Sequence, residues 1–121
     1  DPQLFHIDPE KAKETVYGGL IASGWHTCSL FMRLFVKHYL PGPANLGSPG
    51  VDELRFLKPV RPGDELTLRI TVKKVKPSRS KLDRGVLFSF CEMLNQKSEV
   101  VVTMMALNLI RYRDRKGMDA E

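Results

Sequence analysis

A carboxylate and an imidazole lie close together at the start of this 121-residue chain. Asp1 precedes His6 by five positions. Histidine titrates near neutral pH and its charge responds to a nearby carboxylate, so such a pair can take up and release protons during a reaction. Taken alone, however, this spacing arises often by chance, and a surface histidine beside a helix start is the simpler interpretation.

The other histidines and the two cysteines give weaker signals. His26 could line a pocket, although a core or interface histidine is the more ordinary interpretation. His38 could favour a helix C-terminus when charged, and we assign it no catalytic role. Cys28 and Cys91 lie 63 positions apart without neighbouring ligand residues, so we expect buried thiols and neither a zinc site nor a disulfide framework. No metal or cofactor is predicted.

The composition limits the class of partner. With 42% hydrophobic and 27% charged residues, the sequence is typical of a folded protein with a single domain over residues 1–121. Nineteen basic and fourteen acidic residues give a net charge of +5, which favours an anionic small molecule. The sequence lacks the dense run of basic residues that would indicate nucleic-acid binding, and no apolar run is long enough to span a membrane. We expect a cytoplasmic protein whose natural N-terminus extends beyond Asp1.

Two helices must position the N-terminal residues. Asp8, followed by proline, is a good N-cap for a short helix that ends before the glycine pair at 18–19. Ser23 is a good N-cap for a longer helix over residues 24–40, which a Pro-Gly-Pro run terminates. Because apolar residues cover nearly the whole circumference of this second helix, we expect it to be buried on most sides.

The second half of the chain predicts an antiparallel sheet. Residues 66–73 alternate apolar and polar side chains, which is typical of a half-buried strand. Residues 51–58 form a second strand, and the Pro-Gly-Asp turn at 62–64 predicts that these two strands pair as a hairpin. Two further segments, 86–94 and 100–110, are apolar on both faces and are predicted to be central strands. The remaining segments are a predicted loop at 77–85 and a charged tail at 111–121. Together these elements predict an α+β fold in which a curved antiparallel sheet wraps around one helix.

Three stretches resemble motifs of one known family. Residues 1–10, DPQLFHIDPE, resemble the pattern Asp-x-Asn-Pro-x-His-x-Asp-Pro, and residues 18–26, GGLIASGWH, resemble a Pro-Ile-Ala-His-Gly-Met helix start. Residues 51–64, VDELRFLKPVRPGD, resemble a strand followed by a Pro-x-x-Pro-Gly-Asp turn. In this order the motifs resemble those of the MaoC-like dehydratases, hotdog-fold enzymes that act on acyl thioesters. The resemblance covers about residues 1–112.

The resemblance implies a role for each matching position. Asp1 and His6 match the catalytic pair, and Gly24 matches the glycine whose backbone N–H meets the thioester oxygen. Ser23 and Trp25 flank that glycine and are predicted to bind substrate. An N–H at a helix N-terminus stabilises the negative charge that hydration of an enoyl thioester places on the thioester oxygen. The resemblance therefore implies a hydro-lyase of the (R)-specific enoyl-CoA hydratase type.

Departures from the family pattern leave alternatives open. Gln3 and Leu4 stand where Asn and Pro are usual, and Ser23 and Trp25 replace the usual His and Met. A hotdog acyl-CoA thioesterase is one alternative, and a non-catalytic protein that binds acyl thioesters is another.

The resemblance also indicates partners. The substrate would be a thioester of coenzyme A or of an acyl carrier protein, and the protein is expected to be a homodimer or a larger even-numbered oligomer. The basic side chains near the third motif, Arg55, Lys58 and Arg61, could meet coenzyme A phosphates, although a solvated charged face is the simpler interpretation.

Overall fold

The computed structural model describes residues 1–40 and 42–113, which form an antiparallel sheet preceded by helices. The helices are α1 (Leu4–Ile7), α2 (Pro9–Ala12) and α3 (Gly24–His38), and the strands are β1 (Gly50–Phe56), β2 (Thr67–Pro77), β3 (Arg84–Leu94) and β4 (Val100–Arg111). Within these residues the strand order is β1-β4-β3-β2. The predicted α+β layout is confirmed. No helix in this part of the chain is long and apolar enough to cross a lipid bilayer.

The first helical segment differs from the prediction in length. Asp8 caps α2 as predicted, since its side chain accepts hydrogen bonds from the N–H groups of Glu10 and Lys11, each at 3.1 Å. The helix nevertheless ends at Ala12 and does not continue toward Gly18. The single turn of α1 before it was not predicted, because four residues without a side-chain cap carry little local signal.

Helix α3 begins where the sequence predicts and ends two residues earlier. Ser23 caps it by accepting a hydrogen bond from the Trp25 N–H at 3.2 Å. At the other end, the N–H groups of Tyr39 and Leu40 both donate to the Phe35 carbonyl, at 2.9 and 3.0 Å, so the helix does not reach residue 40. Proline at the next position disfavours helical dihedrals at Leu40.

The prediction that α3 is buried on most sides is wrong for the chain by itself. One face carries Thr27, Phe31 and Phe35, which are buried. The two phenylalanines join a core cluster whose sheet residues are Cys91, Met93, Val101, Val102, Met104 and Ala106. On the opposite face Met32 and Val36 are exposed, because the sheet covers only one side of the helix.

The predicted hairpin between residues 51–58 and 66–73 is also wrong. β1 pairs with β4 and β2 pairs with β3, so the two strands occupy opposite edges of the sheet. The residues between them cross the end of the sheet. Leu57 donates its N–H to the Val101 carbonyl, and Val60 accepts from the Ala22 N–H, both at 2.8 Å. This crossing segment therefore lies beside the start of α3.

The central strands are placed as predicted. β3 pairs with β4 and with β2, and β4 pairs with β3 and with β1. Cys91 on β3 is a buried thiol, and burial raises its pKa to about 12, whereas Cys28 is only half-buried. The loop predicted at 77–85 is shorter, because Pro77 pairs with Gly85 in the ladder. Of the predicted tail, Arg111 belongs to β4 and residues 114–121 lie outside the described residues.

Candidate functional site

The His6 imidazole is held in a defined orientation in α1. Its Nδ1 lies 2.9 Å from the carbonyl oxygen of Ile21. Because a carbonyl oxygen only accepts hydrogen bonds, Nδ1 carries a proton and donates it to this bond. The Phe5 ring packs edge-on against the imidazole, with a centroid distance of 4.6 Å. These contacts leave Nε2 as the ring nitrogen that is free to exchange a proton.

Asp1 lies opposite that nitrogen. Its Oδ2 is 3.3 Å from His6 Nε2, and the side chains are 25% and 10% exposed respectively. When the neutral imidazole carries its proton on Nδ1, Nε2 has only a lone pair. A direct hydrogen bond between Nε2 and Oδ2 then requires a proton on one of these two atoms. The structure therefore brings the predicted acid–base pair into contact.

Hydrogen bonds of both the backbone and the side chains join the pair to the start of α3. Ile21 donates its N–H to the Phe5 carbonyl at 2.9 Å, and the Ile21 carbonyl accepts from the His6 ring. Two residues later, the hydroxyl of Ser23 donates to Asp1 Oδ2 at 2.9 Å and accepts from the Trp25 N–H. The segment that precedes α3 thus fixes both members of the pair.

Gly24 is the first residue of α3, and its environment requires a glycine. A Cβ at this position would lie 2.5 to 2.8 Å from three carbons of the Phe56 ring, too close for van der Waals contact. No acceptor for the Gly24 N–H occurs among residues 1–40 and 42–113, as is usual for the first turn of a helix. This N–H is therefore available to a ligand.

Two cavities share His6 in their walls. The larger, of about 650 Å³, is lined by Asp1, Ser23, Trp25 and His26 among others. The smaller, of about 450 Å³, is lined by Gly24 together with the aromatic side chains Phe5, Tyr17 and Phe56. His6, Ile21, Ala22 and Val60 belong to both walls. Asp1 lines the larger of these two cavities and Gly24 the smaller, with His6 in the wall of both.

The predicted substrate-binding residues differ in accessibility. Ser23 is 8% exposed, and its hydroxyl is engaged by Asp1 and by the helix backbone. Trp25 is 71% exposed at the rim of the larger cavity. Phe56 lines the site although sequence reasoning did not single it out. The sequence feature that could have identified Phe56 is its position in the third family-like stretch, two residues before Lys58.

The basic side chains near the site are engaged with the protein. Lys58 forms an ion pair with Glu99 at 2.6 Å, and the Arg61 guanidinium donates to the Tyr17 carbonyl at 2.6 Å. Arg55 donates to the carbonyl of its own neighbour, Leu54, at 3.2 Å. Contact of these three side chains with coenzyme A phosphates stays a prediction.

A short turn forms part of the wall of the larger cavity. Asp64 donates its N–H to the Arg61 carbonyl at 3.1 Å, and Gly63 adopts a φ of +85°, as a type II turn requires. The Asp64 carboxylate accepts from the Arg61 N–H and from Gln96, and these bonds lower its pKa. The wall of this cavity therefore keeps a negative charge. Within the described residues, no group of three or more His, Cys, Asp or Glu side chains converges as a metal site would need.

The architecture and the comparisons define the class of protein. The described residues form a four-stranded antiparallel sheet packed on one long helix, which is the hotdog fold implied by the resemblance. A family model described as "MaoC like domain" matches residues 1–86. The chain therefore belongs to the MaoC-like domain family.

Individual relatives agree with this assignment. The chain is 34% identical to YdeM, an uncharacterised protein of Bacillus subtilis, over 97 residues that cover 80% of this chain and 67% of YdeM. A crystal structure of a MaoC-like dehydratase from Rhodospirillum rubrum superposes with a TM-score of 0.86 at 43% identity, covering 94% of this chain and 77% of that one. An (R)-hydratase from A. caviae, involved in PHA biosynthesis, superposes with a TM-score of 0.68 at 29% identity, covering 89% and 76%.

Proposed function

We propose that this protein is a hydro-lyase that reversibly adds water to the double bond of an enoyl thioester with (R) specificity. The observation that carries this proposal is the Asp1–His6 contact, 3.3 Å between Oδ2 and Nε2, with His6 lining two cavities. The similarity to a MaoC-like dehydratase and to an (R)-hydratase supports the same reaction class.

The pair supplies the acid and the base that hydration needs. One of the two groups removes a proton from water while the water oxygen bonds to C3 of the enoyl chain. The other delivers a proton to C2, so the pair ends the reaction with the number of protons it began with. His6 suits this exchange because the Ile21 carbonyl fixes a proton on Nδ1 and leaves Nε2 free. Either Asp1 or His6 can be the base in hydration. By microscopic reversibility, the group that is the base in hydration is the acid in dehydration.

Gly24 is proposed to bind the thioester oxygen. Negative charge develops on this oxygen when water attacks C3, and a fixed N–H at a helix N-terminus stabilises it without reorganisation. The Gly24 N–H has the required freedom, since the described residues offer it no acceptor. In this arrangement the reacting carbons lie beside His6, which lines both cavities, and the carbonyl points into the smaller cavity. Ser23 and Trp25 remain proposed contacts at the substrate side of the larger cavity.

Incubation of the purified protein with crotonyl-CoA tests the proposal. Hydration removes the conjugated double bond, so ultraviolet absorbance of the enoyl thioester should fall while a thiol reagent detects no free coenzyme A. Chiral analysis of the product should give (3R)-hydroxybutyryl-CoA. Release of free thiol would instead indicate a thioesterase, and binding without either reaction would indicate a non-catalytic protein. Enoyl-CoAs of increasing length in the same assay define the acyl preference.

We also propose that the protein assembles as a homodimer or a larger even-numbered oligomer. In the isolated chain the outward face of α3 exposes Met32 and Val36, and Trp25 lies exposed at its start. Among residues 1–40 and 42–113, β1 and β2 each pair with one strand, which leaves a sheet edge unpaired on either side within this part of the chain. Light scattering at micromolar concentration should give at least twice the 13.7 kDa of one chain. A value equal to one chain would contradict the proposal.

A further inference from the structure

The hydroxyl of Ser23 connects the Asp1 carboxylate to the first turn of α3. It donates to Asp1 Oδ2 at 2.9 Å and accepts from the Trp25 N–H at 3.2 Å. The polarity of this connection is fixed, because a backbone N–H can only donate and an ionised carboxylate can only accept. Ser23 is 8% exposed, so water has little access to replace either bond.

The same connection determines how Asp1 faces His6. The oxygen that accepts from Ser23, Oδ2, is also the oxygen that lies 3.3 Å from His6 Nε2. Oδ1 has no protein donor among the described residues, and it is therefore the carboxylate oxygen available to water. Without the Ser23 hydroxyl, no donor in the described part of the chain holds Oδ2 at this position except the imidazole itself.

We infer that Ser23 is a positioning residue, whose hydroxyl holds the Asp1 carboxylate in the orientation that faces His6 and couples it to the N-terminus of α3. The inference rests on the proposed function, because it assigns Ser23 a part in the same proton exchange. It gives Ser23 a role besides the proposed substrate contact, since these two hydrogen bonds of its hydroxyl go to protein groups.

Two substitutions separate positioning from helix capping. Ser23→Ala removes the hydroxyl and destabilises the helix by removing its N-cap, whereas glycine is tolerated at an N-cap far better than alanine. Ser23→Gly removes the same hydroxyl while largely preserving the cap. Ser23→Thr keeps both the hydroxyl and the capping oxygen. If Ser23 acts only as a cap, activity should follow stability; if it positions Asp1, activity should follow the hydroxyl.

The experiment measures kcat and KM for crotonyl-CoA, together with thermal melting, for the wild type and the three variants. We expect Ser23→Ala and Ser23→Gly to lose kcat equally, by up to about 10²-fold as for a misplaced catalytic group, with little change in KM. Ser23→Thr should recover most of the lost turnover. A Ser23→Gly variant with wild-type kcat would overturn the inference, as would a loss of turnover that tracks the melting temperature.

A crystal structure of Ser23→Ala provides a readout that does not depend on activity. The inference predicts that Asp1 Oδ2 moves out of contact with His6 Nε2, and an unchanged carboxylate would contradict it. Asp1→Asn in the same kinetic assay separates the two proposals. If Asp1→Asn is inactive and the Ser23 variants are fully active, only the inference fails. If the wild type does not hydrate enoyl thioesters, the proposed function fails and the catalytic part of the inference with it.

Discussion

Replacing Asp1 with Asn, or His6 with Ala, is expected to lower kcat for crotonyl-CoA hydration by about 10²-fold to 10⁴-fold, the usual contribution of a positioned acid or base. Each change removes one of the two groups whose Oδ2 and Nε2 atoms lie 3.3 Å apart. The measurement is steady-state turnover, with circular dichroism to confirm that each variant is folded.

The chain offers a matched control for the aspartate. Asp8→Asn makes the same chemical change seven positions later, and asparagine caps a helix about as well as aspartate. This variant should keep its activity, because Asp8 bonds to the N–H groups of α2 and not to His6. Because groups that act as one unit are non-additive, the Asp1→Asn/His6→Ala double variant should be little worse than either single one. Near-normal turnover in both single variants would contradict the assigned pair.

Gly24→Pro is expected to lower kcat by about 10²-fold to 10³-fold, the cost of losing one oxyanion donor in a well-studied protease. Proline deletes the N–H itself and is favoured at the first position of a helix. The preceding residue, Ser23, already has a ψ of 146°, the extended conformation that a residue before proline prefers. The backbone can therefore accept this change while losing the donor.

Gly24→Ala is the matched control, because alanine adds a Cβ but keeps the N–H. Both side chains would meet the Phe56 ring, so the two variants are compared in a Phe56→Ala background that provides room. Phe56 is 52% exposed at the end of β1, and its truncation should leave the fold intact. The proline variant should be far slower than the alanine variant while melting at a similar temperature. Equal turnover of the two would contradict the oxyanion role.

Local signals in the sequence predicted the parts of the fold that depend on neighbouring residues. Ser23 and Asp8 cap helices because their side chains reach N–H groups two or three residues away. The central position of β3 and β4 followed from their apolar character on both faces. The partner of β1 could not be read in this way. β1 pairs with β4, some fifty residues later, and neither the turn at 62–64 nor the spacing of the strands reveals that choice.

In the candidate site, too, contacts between sequence neighbours were predictable and contacts between distant segments were not. The Asp1–His6 pair was predictable because the two residues lie five positions apart in a stretch that resembles the first family motif. The hydrogen bond from Ser23 to Asp1 spans 22 positions, and the packing of Phe56 on Gly24 joins α3 to the end of β1. Both depend on how the segment before α3 and the crossing segment 57–66 fold against each other. Sequence periodicity carries no information on such contacts.

Labelling with oxygen-18 water tests the central claim most directly, because it shows which carbon the activated water attacks. The protein is incubated with crotonyl-CoA in labelled water, and the products are analysed by mass spectrometry. The account predicts an intact thioester that has gained one labelled water, with the label in the C3 hydroxyl and none in a free carboxylic acid. Its appearance should depend on both Asp1 and His6. Label found in crotonic acid, with release of coenzyme A, would contradict the account and assign the site to thioester hydrolysis.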